Sequence, residues 1–144
     1  MIKRTIRLAL FTVYLVILFR ITVFRSGWYD HALCSGKVLW VPFQTIFTYL
    51  TNGYVRLFLW LFIGNIIWFI PFGAYLRLRG LPFWKTVLLT AALSVLIETL
   101  QFVFGSGCTE TEDVILNTSG GAIGFALAAL YLRIKKHITK TSPE

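Results

Sequence analysis

The sequence predicts an all-α membrane protein: a four-transmembrane-helix bundle with an interfacial or re-entrant segment in its first outer loop. Three observations point there. Of the 144 residues, 57% are hydrophobic and only 14% charged, and the mean hydropathy is +0.74, leaving too little polar surface for a water-soluble globule. Four apolar stretches reach the roughly 20 residues needed to cross a hydrocarbon core about 30 Å thick. These stretches occupy nearly the whole chain, which reads as a single transmembrane domain over residues 1–144 with spans at about 6–24, 55–76, 84–104 and 114–134.

The first span follows Met1-Ile2-Lys3-Arg4, a basic start that also occurs in secretory signals. It reads as a membrane helix because the apolar run is long, contains Arg20, and ends in Phe24-Arg25-Ser26-Gly27 without the small-x-small pattern of a cleavage site. The segment Val38 to Leu50, VLWVPFQTIFTYL, is too apolar for a solvated loop and too short to span. It is expected to lie at headgroup level, with Trp40, Phe43 and Tyr49 as interfacial aromatics.

The second span contains Asn65, Pro71 and Gly73; the proline removes one helical hydrogen bond, and the glycine admits a close neighbour. On the third span Ala91, Ser94, Glu98 and Gln101 share a face. On the fourth, Asp113 and Asn117 continue into Gly120 or Gly121, Gly124 and Ala128, a small-xxx-small stripe suited to close helix packing. Asp113, just before the apolar run, suits a helix N-cap.

Orientation follows from basic residues near helix ends, which stay in the cytoplasm. Lys3, Arg4 and Arg7 precede the first span; Arg77, Arg79 and Lys85 surround the loop between the second and third; Arg133, Lys135, Lys136 and Lys140 follow the fourth. Both termini are therefore expected in the cytoplasm of a bacterial cytoplasmic membrane. The loop from Gly105 to Asp113 carries Glu110, Glu112 and Asp113 without Lys or Arg, and is expected outside. Topology and anionic headgroups account for the net charge of +8, so nucleic acid is not expected as a partner. Cys34 and Cys108 both fall in the expected outer loops, where a disulfide is possible.

Ionisable and amide side chains inside hydrocarbon cost several kcal/mol unless they meet a partner or a wet cavity. Arg20, Asn65, Glu98, Gln101, Asp113 and Asn117 come from all four spans and, apart from Asn65 nearer the midplane, fall within roughly two turns of the outer surface at about 1.5 Å per residue. They form the candidate site, a polar cluster for ligand binding or for structure. Pro71, Gly73, Gly120 and Gly124 are the candidate packing residues. No catalytic set, metal-ligand spacing or cofactor motif is present, so catalytic residues, metal and cofactors are all assigned as none.

Pro42-Phe43, Asn65 with Pro71-Phe72-Gly73, Glu98-Thr99-Leu100-Gln101, and Asp113-Val114-Ile115-Leu116-Asn117-Thr118-Ser119-Gly120 followed by Gly124 together resemble the VanZ-like family, over roughly residues 10 to 132. Arg20 matches a basic residue near the end of that family's first helix. Leu39 replaces a frequent Asn, and Gly107 with Glu110-Thr111-Glu112-Asp113 replaces a frequent Arg before an acidic run. The resemblance implies an envelope accessory or binding protein linked to glycopeptide or lipoglycopeptide (teicoplanin) resistance. Its implied partners are the lipid bilayer and a lipid-linked envelope precursor or lipoglycopeptide. The alternatives are a membrane-embedded enzyme acting on a lipid-linked envelope substrate, with Glu98 or Asp113 as acid or base, and a small drug exporter.

Overall fold

The computed structural model describes residues 2–24, 38–106 and 109–141. Its elements in chain order are α1 (Ile2–Thr22), β1 (Val38–Leu39), α2 (Gln44–Thr51), α3 (Val55–Leu78), α4 (Phe83–Phe104), β2 (Thr109–Glu110) and α5 (Thr111–Thr141). Four of the helices, α1, α3, α4 and α5, are long and apolar enough to cross a membrane. The fold is that of an all-α membrane protein. Consecutive spans run in opposite senses, so α3 and α5 are parallel and α4 lies antiparallel to both.

Glycine sets two of the reversals. After α3, Gly80 takes φ 89; its N–H bonds the Arg77 carbonyl and that of Leu81 bonds Leu76, the pairing that closes a helix through a left-handed residue. Pro82 then starts α4, since its fixed φ and absent N–H cost nothing there. Gly105 closes α4 in the same way at φ 58, with the Ser106 N–H on the Gln101 carbonyl.

The most extensive packing joins α3 to α5, and absent side chains make it possible. A Cβ built on Gly124 would lie 2.0 Å from the Ile70 carbonyl oxygen, one on Gly120 2.2 Å from that of Ile66, and one on Gly73 1.9 Å from that of Gly121. These are backbone-to-backbone approaches, the geometry that small-xxx-small stripes allow. A Cβ on Gly121 would in turn meet the Thr90 side chain. Pro71 lies within α3 with its ring exposed, so the close approach rests on the glycines.

A small apolar core of Leu18, Val23, Phe69 and Ile97 fills the space between α1, α3 and α4. Tyr14 donates to the Trp68 carbonyl at 2.6 Å, and the ring of Phe11 stacks on Tyr75 with centroids 3.6 Å apart. The segment expected at headgroup level resolves into β1 and the short helix α2. β1 pairs in parallel with β2, Val38 opposite Thr109 and Leu39 opposite Glu110. This pairing fastens the segment before α2 to the connection between α4 and α5. The possible Cys34–Cys108 disulfide lies outside the described residues.

Candidate functional site

Every fourth residue of α4 from Thr86 to Glu98 is polar: Thr86, Thr90 and Ser94 are fully buried, and Glu98 is 4% exposed. Buried polar groups survive in apolar surroundings only when bonded. Thr86 and Thr90 donate back to the carbonyls one turn earlier, and Ser94 Oγ accepts from Asn117 Nδ2 of α5 at 2.8 Å. That bond sets the register between two antiparallel helices. One turn further along α4 is Glu98, and one turn back along α5 is Asp113, so the two carboxyls sit at the same level.

Around that level lie Glu98, Glu110, Glu112 and Asp113, the acidic residues among the described ones, and this region is the acidic end of the bundle. Glu98 Oε2 accepts the backbone N–H of Glu110 at 3.0 Å, and Thr109 Oγ1 donates to the Glu98 carbonyl at 3.2 Å. Asn65 Nδ2 of α3 donates to Asp113 Oδ1 at 2.5 Å. Thr111 Oγ1 donates to the Leu39 carbonyl at 3.3 Å. The expected cap role of Asp113 is replaced: α5 begins at Thr111, which puts Asp113 inside its first turn, where it can meet Asn65 and still lie near the positive end of the helix dipole.

Burial, the charges of Asp113 and Glu112, and a hydrogen bond to Glu112 push the Glu110 carboxyl from its ordinary value up to about 8, against an opposing hydrogen bond to Thr45 of α2. The shift favours the protonated form of Glu110, which is linked to both α5 and α2. The native chain then binds more protons than the unfolded one between the ordinary value of 4.5 and about 8, so stability here is full below 4.5 and lost as pH rises through 8. Hydrogen exchange of the β1 and β2 amides is expected to quicken, beyond the intrinsic base-catalysed increase, between mildly acidic and mildly alkaline buffer. Glu110→Gln should remove that extra increase.

Several buried polar atoms at this end are left over, Gln101 Oε1, Ser106 Oγ and Thr118 Oγ1 among them. Glu112 is 4% exposed and Asn117 3% exposed, yet Glu112 Oε2 and Asn117 Oδ1 have no hydrogen-bond partner. Leaving such a group unsatisfied costs about 1–3 kcal/mol. Chemically, the assembly offers carboxyl and amide oxygens to a group that brings hydrogen-bond donors.

The sequence motifs that build this end can be compared with known proteins. The sequence model of the VanZ/LLP1 family matches residues 11–132. The chain belongs to the VanZ/LLP1 family. It is 40% identical over 70 residues to Protein VanZ of Enterococcus faecium, a match covering 47% of this chain and 44% of that protein. It therefore spans less than half the length of the curated relative it matches, and no solved structure matches it. Four apolar helices together with membership of the VanZ/LLP1 family make it a multi-pass membrane protein.

Within this VanZ/LLP1 chain the six site residues of the sequence reading separate into two groups. At the acidic end Asn65 is bonded to Asp113 and Glu98 to the Glu110 N–H, while Asn117 is bonded to Ser94 one turn along α4 from Glu98. Gln101 and Arg20 lie toward α1. Gln101 Nε2 donates to the Thr22 carbonyl at 3.2 Å, its Oε1 is buried without a partner, and Arg20 is exposed with Nη1 on the Phe24 carbonyl. Sequence reasoning used Glu110 and Glu112 to orient the loop and to compare it with the family's acidic run, and left both out of the candidate site. The signal that could have found them is their run with Asp113, Glu110-Thr111-Glu112-Asp113, too close to the apolar span to be wholly solvated. Phe43, of the Pro42-Phe43 pair, caps α2 at φ 64, a conformation that costs a non-glycine residue roughly 1–2 kcal/mol.

Proposed function

We propose that this chain is an accessory protein of the bacterial cell envelope that recognises a lipid-linked envelope precursor or a lipoglycopeptide and contributes to glycopeptide (teicoplanin) resistance. It lies in the cytoplasmic membrane with both termini in the cytoplasm and the acidic end of the bundle outward. One observation carries the reading: Glu98, Glu110, Glu112, Asp113, Asn65 and Asn117 are drawn to one end of the membrane helices, with buried polar atoms, Glu112 Oε2 and Asn117 Oδ1 among them, left without partners. Cores are seldom left so, whereas recognition sites are, because the ligand completes the bonding. The exposed Arg79, Lys85, Arg133, Lys135 and Lys136 lie at the opposite end of the spans, which supports the orientation.

The test is teicoplanin susceptibility of a sensitive bacterium carrying the wild-type chain or Asn117→Ala. Wild type should raise the inhibitory concentration. Asn117→Ala, present in the membrane at equal abundance, should return it to the level of the empty host, since the substitution removes amide chemistry and adds no bulk. Full protection by the alanine variant would overturn the site assignment.

A further inference from the structure

We propose that the acidic end of the bundle binds a primary ammonium group carried on a membrane amphiphile. The inference rests on the reading of this end as a recognition site and names the chemistry it takes. Glu110, Glu112 and Asp113 follow one another within the start of α5 and the strand before it, and Glu98 of α4 reaches the same strand through the Glu110 N–H. Asp113 and Glu112 both raise the cost of a negative charge on Glu110. A phosphate, pyrophosphate or carboxylate would meet repulsion from these carboxyls.

Two of the unpartnered atoms define the complement. Glu112 Oε2 and Asn117 Oδ1 are both acceptors, and both side chains are more than nine-tenths buried. Asn117 cannot turn its amide to solvent, because its Nδ2 is held on Ser94. A primary ammonium supplies three N–H donors and a positive charge in a compact head. A trimethylated nitrogen has the charge without the donors, and a sugar hydroxyl has a donor without the charge. Among the described residues no group of three His, Cys, Asp or Glu side chains converges as metal ligands, so the geometry favours an organic cation. The group is placed on an amphiphile because the same turns of α4 present exposed Val95, Leu96, Phe102 and Val103 beside the site, an apolar surface against which acyl chains lie.

The experiment uses purified full-length protein in detergent, mixed with phosphatidylethanolamine, phosphatidylcholine and phosphatidylglycerol of identical chains, with retained lipid counted by native mass spectrometry. The ethanolamine lipid should be retained about tenfold better than the choline lipid, the equivalent of one charge-assisted hydrogen bond. Both Glu112→Gln and Asn117→Ala should reduce that preference to near parity. Two variants are used so that a folding failure in one does not decide the outcome. Free ethanolamine at the same concentration should leave the retained lipid in place. Equal retention of ethanolamine and choline lipids, preference for the glycerol lipid, a preference unchanged in both variants, or displacement by free ethanolamine would each overturn the proposal. If the wild type shows no ethanolamine preference while Asn117→Ala still abolishes teicoplanin protection, the ammonium assignment fails and the recognition reading stands. If the preference is present without any protection, the converse holds.

Discussion

Replacing Gly124 by alanine is expected to destabilise the protein by at least the upper part of the range of about 1–3 kcal/mol typical of overpacking. The added Cβ would lie 2.0 Å from the Ile70 carbonyl oxygen and 2.9 Å from the Ala74 nitrogen. Both atoms belong to the α3 backbone, so no side-chain rotation relieves the clash. The two helices must move apart along the whole stripe, loosening Gly120 from Ile66 and Gly73 from Gly121 as well. Alanine favours a helix over glycine by only about 1 kcal/mol, which does not offset the loss. Gly64 of α3 supplies an internal control, because a Cβ there meets nothing within 4 Å. Gly64→Ala should be neutral or slightly stabilising. Thermal unfolding in detergent compares the two, and equal melting temperatures would contradict the packing described.

The second large effect is functional. Glu98→Ala is expected to abolish protection against teicoplanin while the protein still inserts, because it removes the acceptor for the Glu110 N–H and takes a carboxyl from the centre of the acidic end. An N–H left without its partner beside a buried carboxyl loosens β2, and with it the pairing of Val38 and Leu39. Glu98→Gln separates geometry from charge, since the amide oxygen can still accept from Glu110. Retained protection in Glu98→Gln would assign Glu98 to holding the strand; loss in both variants would assign it to the ligand. A fully protective Glu98→Ala at wild-type abundance would remove Glu98 from the site altogether.

Those two effects correspond to what the sequence did and did not disclose. The spans were legible because hydropathy over about 20 residues leaves few alternatives: 55–76 became Val55–Leu78, and 84–104 became Phe83–Phe104. The glycine stripe was legible because helical periodicity alone aligns Gly120 and Gly124. The boundaries of α5 were not. It begins at Thr111 instead of 114, since Glu112 and Asp113 suit a first turn, and it runs on to Thr141 beyond 134, since Lys and Arg are good helix formers outside hydrocarbon.

Side-chain partners were least legible of all. Arg20 and Gln101 fall at a plausible depth, but depth does not determine the direction a side chain faces, and these two serve the α1 side. The β1–β2 pairing joins two-residue strands about seventy positions apart, too short for any alternation to reveal. Glu110 owes its importance to that pairing, which places its N–H on Glu98 and its carboxyl between Glu112 and Thr45.

The central claim is that the polar cluster faces outward, and its most direct measurement is sidedness in living cells. With Cys34 and Cys108 replaced by serine, a single cysteine is introduced as Thr109→Cys in β2 or as Lys140→Cys near the C-terminus, and intact cells are treated with a membrane-impermeant maleimide. Position 109 should be labelled from outside, and position 140 only after the cells are permeabilised. Labelling of position 140 in intact cells with position 109 protected would turn the bundle over, place the acidic end in the cytoplasm, and contradict recognition of an outer-face envelope ligand.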